Sequence, residues 1–128
     1  MRQTLPKSNI LRGYQSFTNV ITSGVSFQGT MLTGFLLTDT NDKNIAIGFS
    51  VPKKRVPLAV DRNRIRRLMR ECVREHSGEL FTTFREKNVG AKIVLMFKGE
   101  KNKQIDRLAL RDVVPAWLVI QQQILKAL

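Results

Sequence analysis

One basic stretch constrains this chain more than any other part of it. Residues 53–75 read KKRVPLAVDRNRIRRLMRECVRE. Lys53, Lys54, Arg55, Arg62, Arg64, Arg66, Arg67, Arg70 and Arg74 stand there against only Asp61, Glu71 and Glu75. From Leu58 onward, Ile65, Leu68, Met69, Cys72, Val73 and His76 recur at the i, i+3, i+4, i+7 spacing of one buried helical face. At about 100° per residue, Arg62, Arg66, Arg70, Asn63, Arg74 and Arg67 sweep the opposite side, and Glu71, Glu75 and Arg64 fill the remaining flank. Pro57 suits a first helical turn, where its missing N–H costs nothing. A fold built on this segment must bury one stripe of the helix and leave a broad arginine face open.

Two readings compete for that face. Most charge runs are solvated surfaces, but these mix signs for i,i+4 pairing and have no need of arginine over lysine. Residues 58–76 carry six arginines and no lysine. The planar guanidinium grips phosphate bidentately and stacks on bases, so phosphate or nucleic-acid binding is the stronger reading. The whole chain agrees: a net charge of +12 and a pI near 10.8 call for a polyanionic partner, nucleic acid ahead of an anionic membrane. A membrane-surface helix would need exposed apolar residues opposite its charges, whereas Ile65, Leu68 and Met69 are needed for the core. A sequence-specific DNA reader would want a second helix at turn spacing before this one, and none is evident.

The 128 residues suit one domain with a modest core, and 42% hydrophobic with 25% charged residues is ordinary for a globular protein. The lone Cys72 allows no internal disulfide, which fits a reducing compartment. With no apolar signal run and no stretch near 18 apolar residues, a cytoplasmic protein without membrane contact is expected. Residues 1–11 read as loosely ordered. A short helix follows from Arg12, with Tyr14, Phe17, Val20 and Ile21 on one face and Gly24 as its stop. Residues 25–38 read as a strand, with Phe27, Met31, Thr33, Phe35 and Leu37 facing one way and Leu32, Gly34 and Leu36 the other. After the turn DTNDKN, residues 44–51 place Ile45, Ile47, Phe49 and Val51 on one face. The small residues Ala46, Gly48 and Ser50 on the other leave a shallow groove with room for something flat. Beyond the arginine helix, residues 77–88 continue as a weaker helix broken near Gly78, with Leu80, Phe81 and Phe84 as its buried candidates. AKIVLMF, residues 91–97, is a strand covered on both faces. A polar loop spans 98–107. The last helix runs from about Arg111, with Pro115 near its first turn and Val113, Val114, Trp117, Leu118, Ile124 and Leu125 available for packing. The order is that of an α+β fold, a sheet with helices against it.

Little here points to protein-borne catalysis. Cys72 and His76 lie four apart, but both fall on the apolar face and no other Cys or His could complete a zinc site. Phosphodiester hydrolysis by the protein would want clustered carboxylates holding metal ions. Asp39, Asp42, Asp61, Glu71 and Glu75 form no such constellation. The chain reads as a binder with no cofactor of its own.

The segment VDRNRIRRLMRE resembles the Arg-Asn-Arg signature helix of the bacterial ribonuclease P protein component. Gly48-Phe49-Ser50-Val51-Pro52-Lys53-Lys54 resembles the strand leading into it, although Pro52 stands where the family usually has a small polar residue. Arg12, the Phe-x-x-Val core of Phe17 and Val20, and the aromatic strand match as well. The resemblance implies a two-layer α/β sandwich of αβββαβα-type order (ribosomal protein S5 domain 2-like), with residues 25–38 bent into two strands and a left-handed βαβ crossover. It implies a subunit of the ribonuclease P holoenzyme, which removes the 5′ leader of precursor tRNA. The catalytic groups are expected on the RNA with its magnesium; the protein alone would be inactive and need no obligate protein partner. Lys53, Lys54, Arg62, Asn63, Arg64, Arg66, Arg67 and Arg70 would contact the catalytic RNA. Arg12, Phe17, Ile21, Met31, Thr33, Phe35 and Ser50 would line the leader groove, with Ile21 where many members have a second aromatic. From the residues alone, a general RNA-binding or ribosomal protein stays open as the alternative.

Overall fold

Gly24 and Met31 turn the chain where a plain apolar pattern would run straight. The computed structural model describes residues 9–39, 41–99 and 107–128. Its elements are α1 (Tyr14–Ser23), β1 (Val25–Gln28), β2 (Leu32–Asp39), β3 (Ile45–Ser50), α2 (Ala59–His76), α3 (Gly78–Lys87), β4 (Gly90–Phe97) and α4 (Leu110–Ala127). At the end of α1, the Gly24 N–H donates to the Val20 carbonyl at 2.8 Å. A Cβ at Gly24 would lie 2.4 Å from that oxygen and 2.7 Å from the Leu36 carbonyl oxygen. Only glycine lets the helix stop this close to the sheet.

The bend within residues 25–38 is present. Met31 adopts φ 56°, and the Gly29 N–H donates to the Leu32 carbonyl at 3.0 Å. That turn resets the alternation of side chains. Phe27 pairs with Gly34 across the β1–β2 ladder, so it shares the face of Leu32 and Leu36, not that of Phe35. Met31 is buried in the core on that same side. The expected single face of Phe27, Met31, Thr33, Phe35 and Leu37 therefore holds only for the last three, because the turn breaks the period of two.

The sheet order is β1-β2-β4-β3. β2 and β4 pair antiparallel, β3 and β4 parallel, and α2 and α3 make the crossover that a parallel pair requires. On one face, Leu32, Leu36, Ile47, Phe49, Ile93 and Leu95 meet Ile65, Met69 and Val73 of α2, Leu80 and Phe84 of α3, and Trp117, Ile120 and Ile124 of α4. Each such side chain taken fully out of water contributes about 1.5–3 kcal/mol. On the other face, α1 lays Val20, Phe17 and Ile21 against Val94, Phe35, Leu37 and Ala46, together with Leu11. The apolar run of β4 is thus covered on both faces, as its composition predicts.

Four local expectations change. His76 is not buried: its side chain is 37% exposed, 3.9 Å from Glu75, because the chain turns into α3 there and Ser77 takes the interior place. The Gln121 amide donates to the His76 carbonyl at 2.9 Å and ties α4 to this corner. Pro115 lies in the second turn of α4 instead of the first, and Leu118 is exposed. Residues 9–11 are held, since Ile10 bridges Ile47 and the Leu11 N–H donates to the Ile47 carbonyl at 2.9 Å. The rest of the stretch expected to be loose, residues 1–8, lies outside the described residues, as do residues 100–106 of the polar loop.

Candidate nucleic-acid interface

Two surfaces carry the candidate residues. The first is built on α2 and the turn before it. The Arg55 and Val56 N–H groups both donate to the Pro52 carbonyl at 3.0 Å, and Val56 is fully buried. This closes a tight turn that holds Lys53, Lys54 and Arg55 out in solvent. Pro57 sits just ahead of the helix, not in its first turn, and Asp61 supplies the negative charge that a helix start favours.

The arginines of α2 divide by what they touch. Arg62 reaches back to the Val56 carbonyl at 3.0 Å and the Pro57 carbonyl at 2.7 Å. Arg64 donates to the Leu108 carbonyl. Arg74 gathers the acidic edge, pairing with Glu71 and, at 3.0 Å, with Glu75. These contacts raise its pKa above the ordinary arginine value, chiefly through the Glu71 hydrogen bond. Arg66 donates to Asn63 Oδ1 at 2.8 Å. Arg67 and Arg70 are exposed and have no hydrogen-bond or ion-pair partner among the described residues. Sequence reading grouped Arg62 and Arg64 with the rest; the structure gives both of them carbonyl partners within the fold. Arg64 also points away from Arg66, as helix neighbours two apart must. The open cationic face is Asn63, Arg66, Arg67 and Arg70, with Lys53 and Lys54 at the turn.

The second surface lies on the α1 side of the sheet. The ladders set two rungs side by side. One is Ser26, Phe35, Val94 and Gly48; the next is Gln28, Thr33, Met96 and Ser50. A Cβ at Gly48 would sit 2.5 Å from the Phe17 ring. The flat group that the small-residue face accommodates is therefore Phe17 itself. Beyond that ring, Phe17, Ile21, Phe35, Met96 and Ser50 are all half-buried, so each keeps an edge toward solvent. Thr33 is buried and donates to Gln28 Oε1 at 3.2 Å. Lys98 Nζ donates to the same oxygen at 3.0 Å. The Lys98 N–H is fixed on the Met31 carbonyl at 2.7 Å.

Of the groove residues expected from sequence, Phe17, Ile21, Thr33, Phe35 and Ser50 come together, and Arg12 is exposed two residues before α1. Met31 does not join them; its positive φ turns it into the opposite core. Sequence reading missed Gln28, Met96 and Lys98. The alternation Val94, Met96, Lys98 was available, but a continuous apolar run hides which face is open.

Several acidic residues are engaged elsewhere. Asp39 accepts the N–H groups of Asn41 and Asp42, which hold its carboxyl below the usual range, and Asp112 accepts the Ala109 N–H at the start of α4. Burial, helped by the Glu75 charge, pushes the Cys72 thiol up to about 12. It is a packed, protonated group and no nucleophile. Among the described residues no helix is long and apolar enough to cross a membrane.

Known proteins resemble this chain in sequence and in fold. The ribonuclease P family model matches residues 5–119. The ribonuclease P protein component of Chlorobium phaeobacteroides is 40% identical over 84 residues, which is 62% of this chain and 58% of that protein. The component from Pseudanabaena is 38% identical over 76 residues, 59% of this chain and 66% of that one. The component from Chlorobaculum tepidum is 32% identical over 110 residues, 79% and 62% of the two chains. The matches thus span about three fifths of these relatives' length. In structure, the Staphylococcus aureus RNase P protein superposes with a TM-score of 0.70 at 16% identity, over 92% of this chain and 96% of that one. The Thermotoga maritima RNase P protein does so with a TM-score of 0.69 at 20% identity, over 88% and 96%. At those identities the superpositions speak for the fold, a mixed α+β sheet with helices; the match over residues 5–119 speaks for the family. The chain belongs to the ribonuclease P protein-component family.

Proposed function

We propose that this chain is the protein subunit of a cytoplasmic ribonuclease P ribonucleoprotein, docking on the catalytic RNA through α2 and holding the 5′ leader of precursor tRNA in the α1–sheet cleft. The carrying observation is the coexistence, in one small domain, of an open guanidinium face and a separate half-open cleft. Arg66, Arg67 and Arg70 offer planar forks to phosphate without a competing carboxylate among the described residues. The cleft offers Phe17 and Phe35 as ring surfaces, with Met96 and Ser50 on the next rung and Lys98 held on Gln28 beside it. Aromatic surfaces beside a basic track hold single-stranded RNA without reading its sequence. Hydrolysis is assigned to the RNA and its magnesium. The protein's part is to bind, orient and screen phosphate repulsion between two RNAs with its net charge of +12.

The test is a comparison of two ligands on the reconstituted holoenzyme. Phe35→Ala is expected to weaken binding of precursor tRNA carrying a leader by about 1–3 kcal/mol, the worth of one stacked base. Binding of mature tRNA should stay unchanged. Equal losses for both ligands would return Phe35 to the core and favour a general RNA-binding protein.

A further inference from the structure

We propose that Tyr14 is a third stacking surface, extending the leader cleft beyond Phe17 along α1. The inference rests on the leader-groove reading and adds to it a residue that neither the apolar pattern nor the core explains. Tyr14 was expected on the packed face of α1, yet it is 86% exposed, the most exposed of the large hydrophobic residues among those described. It opens the helix, and nothing stands within 4 Å of where a side chain on its neighbour Gly13 would begin. Its phenol has no partner among the described residues. The ring is nonetheless set on a firm base, because the Thr18 hydroxyl donates to the Tyr14 carbonyl at 2.9 Å and pins the first turn.

Geometry places the ring where a strand would pass. At about 100° per residue, Tyr14 lies roughly 60° around the helix from Phe17, on the same flank as Ile21 at roughly 40°. Phe17 and Ile21 are the half-buried residues that α1 turns toward Phe35. Three residues of helix rise about 4.5 Å, close to the roughly 3.4 Å advance per nucleotide of a stacked strand. Tyr14 and Phe17 can therefore carry consecutive or nearly consecutive bases. Arg12, exposed two residues earlier, is placed for the accompanying phosphate. The Tyr14 ring is largely exposed, whereas Phe17 has one edge committed to Gly48. It is the least encumbered aromatic surface of the cleft.

Because Tyr14 is 86% exposed, Tyr14→Ala should melt at the wild-type temperature, and binding changes can be read without a folding term. The holoenzyme reconstituted with wild type, Tyr14→Ala or Tyr14→Phe is titrated with precursor tRNAs of increasing leader length, and with mature tRNA. The expected result is that Tyr14→Ala matches wild type for short leaders and loses roughly 5- to 100-fold in affinity once the leader reaches past Phe17. Tyr14→Phe should retain the affinity, since the ring and not the hydroxyl does the stacking. The chain has a single tyrosine, so fluorotyrosine labelling gives one fluorine resonance, which should shift on binding the long-leader substrate and not on binding mature tRNA. An unmoved resonance with wild-type affinity at every length, while Phe35→Ala still weakens leader binding, overturns the proposal and leaves the groove standing. A loss equal for all ligands, mature tRNA included, also overturns it by placing Tyr14 on another RNA surface. If Phe35→Ala too is without effect, the groove reading itself falls.

Discussion

Arg67 and Arg70 do different work from Arg62 and Arg64, although all four sit within nine residues of one helix. The first two are free to exchange water for phosphate. The second two satisfy carbonyls of the fold, at Val56, Pro57 and Leu108. Replacing Arg67 or Arg70 by Ala is expected to leave the melting temperature unchanged. It should flatten the fall of log affinity for the catalytic RNA against log salt by about 0.7–0.9, one phosphate contact each. Arg64→Ala should do the reverse. It leaves the buried Leu108 carbonyl short of a donor, a loss of about 1–3 kcal/mol in stability, and the salt slope should stay as it was. A flattened slope with Arg64→Ala would move part of the RNA surface to the α4 side. Cys72 offers a second check at this scale. Its raised pKa means that the neutral thiol favours the fold below the ordinary value of 9.0, an advantage lost as pH climbs toward about 12. Near neutral pH the native thiol should resist alkylation and react only as fast as the protein opens. Prompt labelling of folded protein would show the α2 core to be looser than described.

At the scale of elements, α1 covers the rung of Phe35, Val94 and Gly48 and leaves Met96 and Ser50 of the next rung half-buried. Gly48 makes room for that cover. With the Phe17 ring where a Cβ would stand, Gly48→Ala should cost about 1–3 kcal/mol through overpacking and lift α1 from β3. Leader-dependent binding should weaken along with stability, while affinity for the catalytic RNA, proposed to rest on α2, should hold. Wild-type stability in this variant would mean that Phe17 moves freely and does not define the groove. The small residues of β3 were legible in the sequence as a sign that something flat lies there. That the flat group is a phenylalanine of the same chain depended on where α1 docks, which residues as far apart in sequence as Phe17 and Gly48 cannot announce.

Across the whole molecule, charge is divided by function. Asp39 and Asp112 cap turns and Glu71 and Glu75 neutralise Arg74, while Lys53, Lys54, Arg67 and Arg70 face outward. Purified chain freed of RNA and incubated with precursor tRNA and magnesium is therefore expected to release no leader. Site-specific cleavage abolished by Asp61→Asn would overturn the assignment of the chemistry to RNA. The sequence by itself determined the α+β element order, the two faces of α2, the small-residue face of β3 and the doubly covered β4, because hydrophobic period and turn chemistry are local properties. It also carried the family, through the arginine helix and the strand before it. Tertiary structure decided which arginines remain free, because the carbonyls that engage Arg62 and Arg64 belong to the approach turn and to the start of the last helix. It likewise put Met31 in the core and Met96 and Lys98 beside the cleft. A single backbone turn at positive φ and the register of β4 set those side chains, and both depend on partners far along the chain.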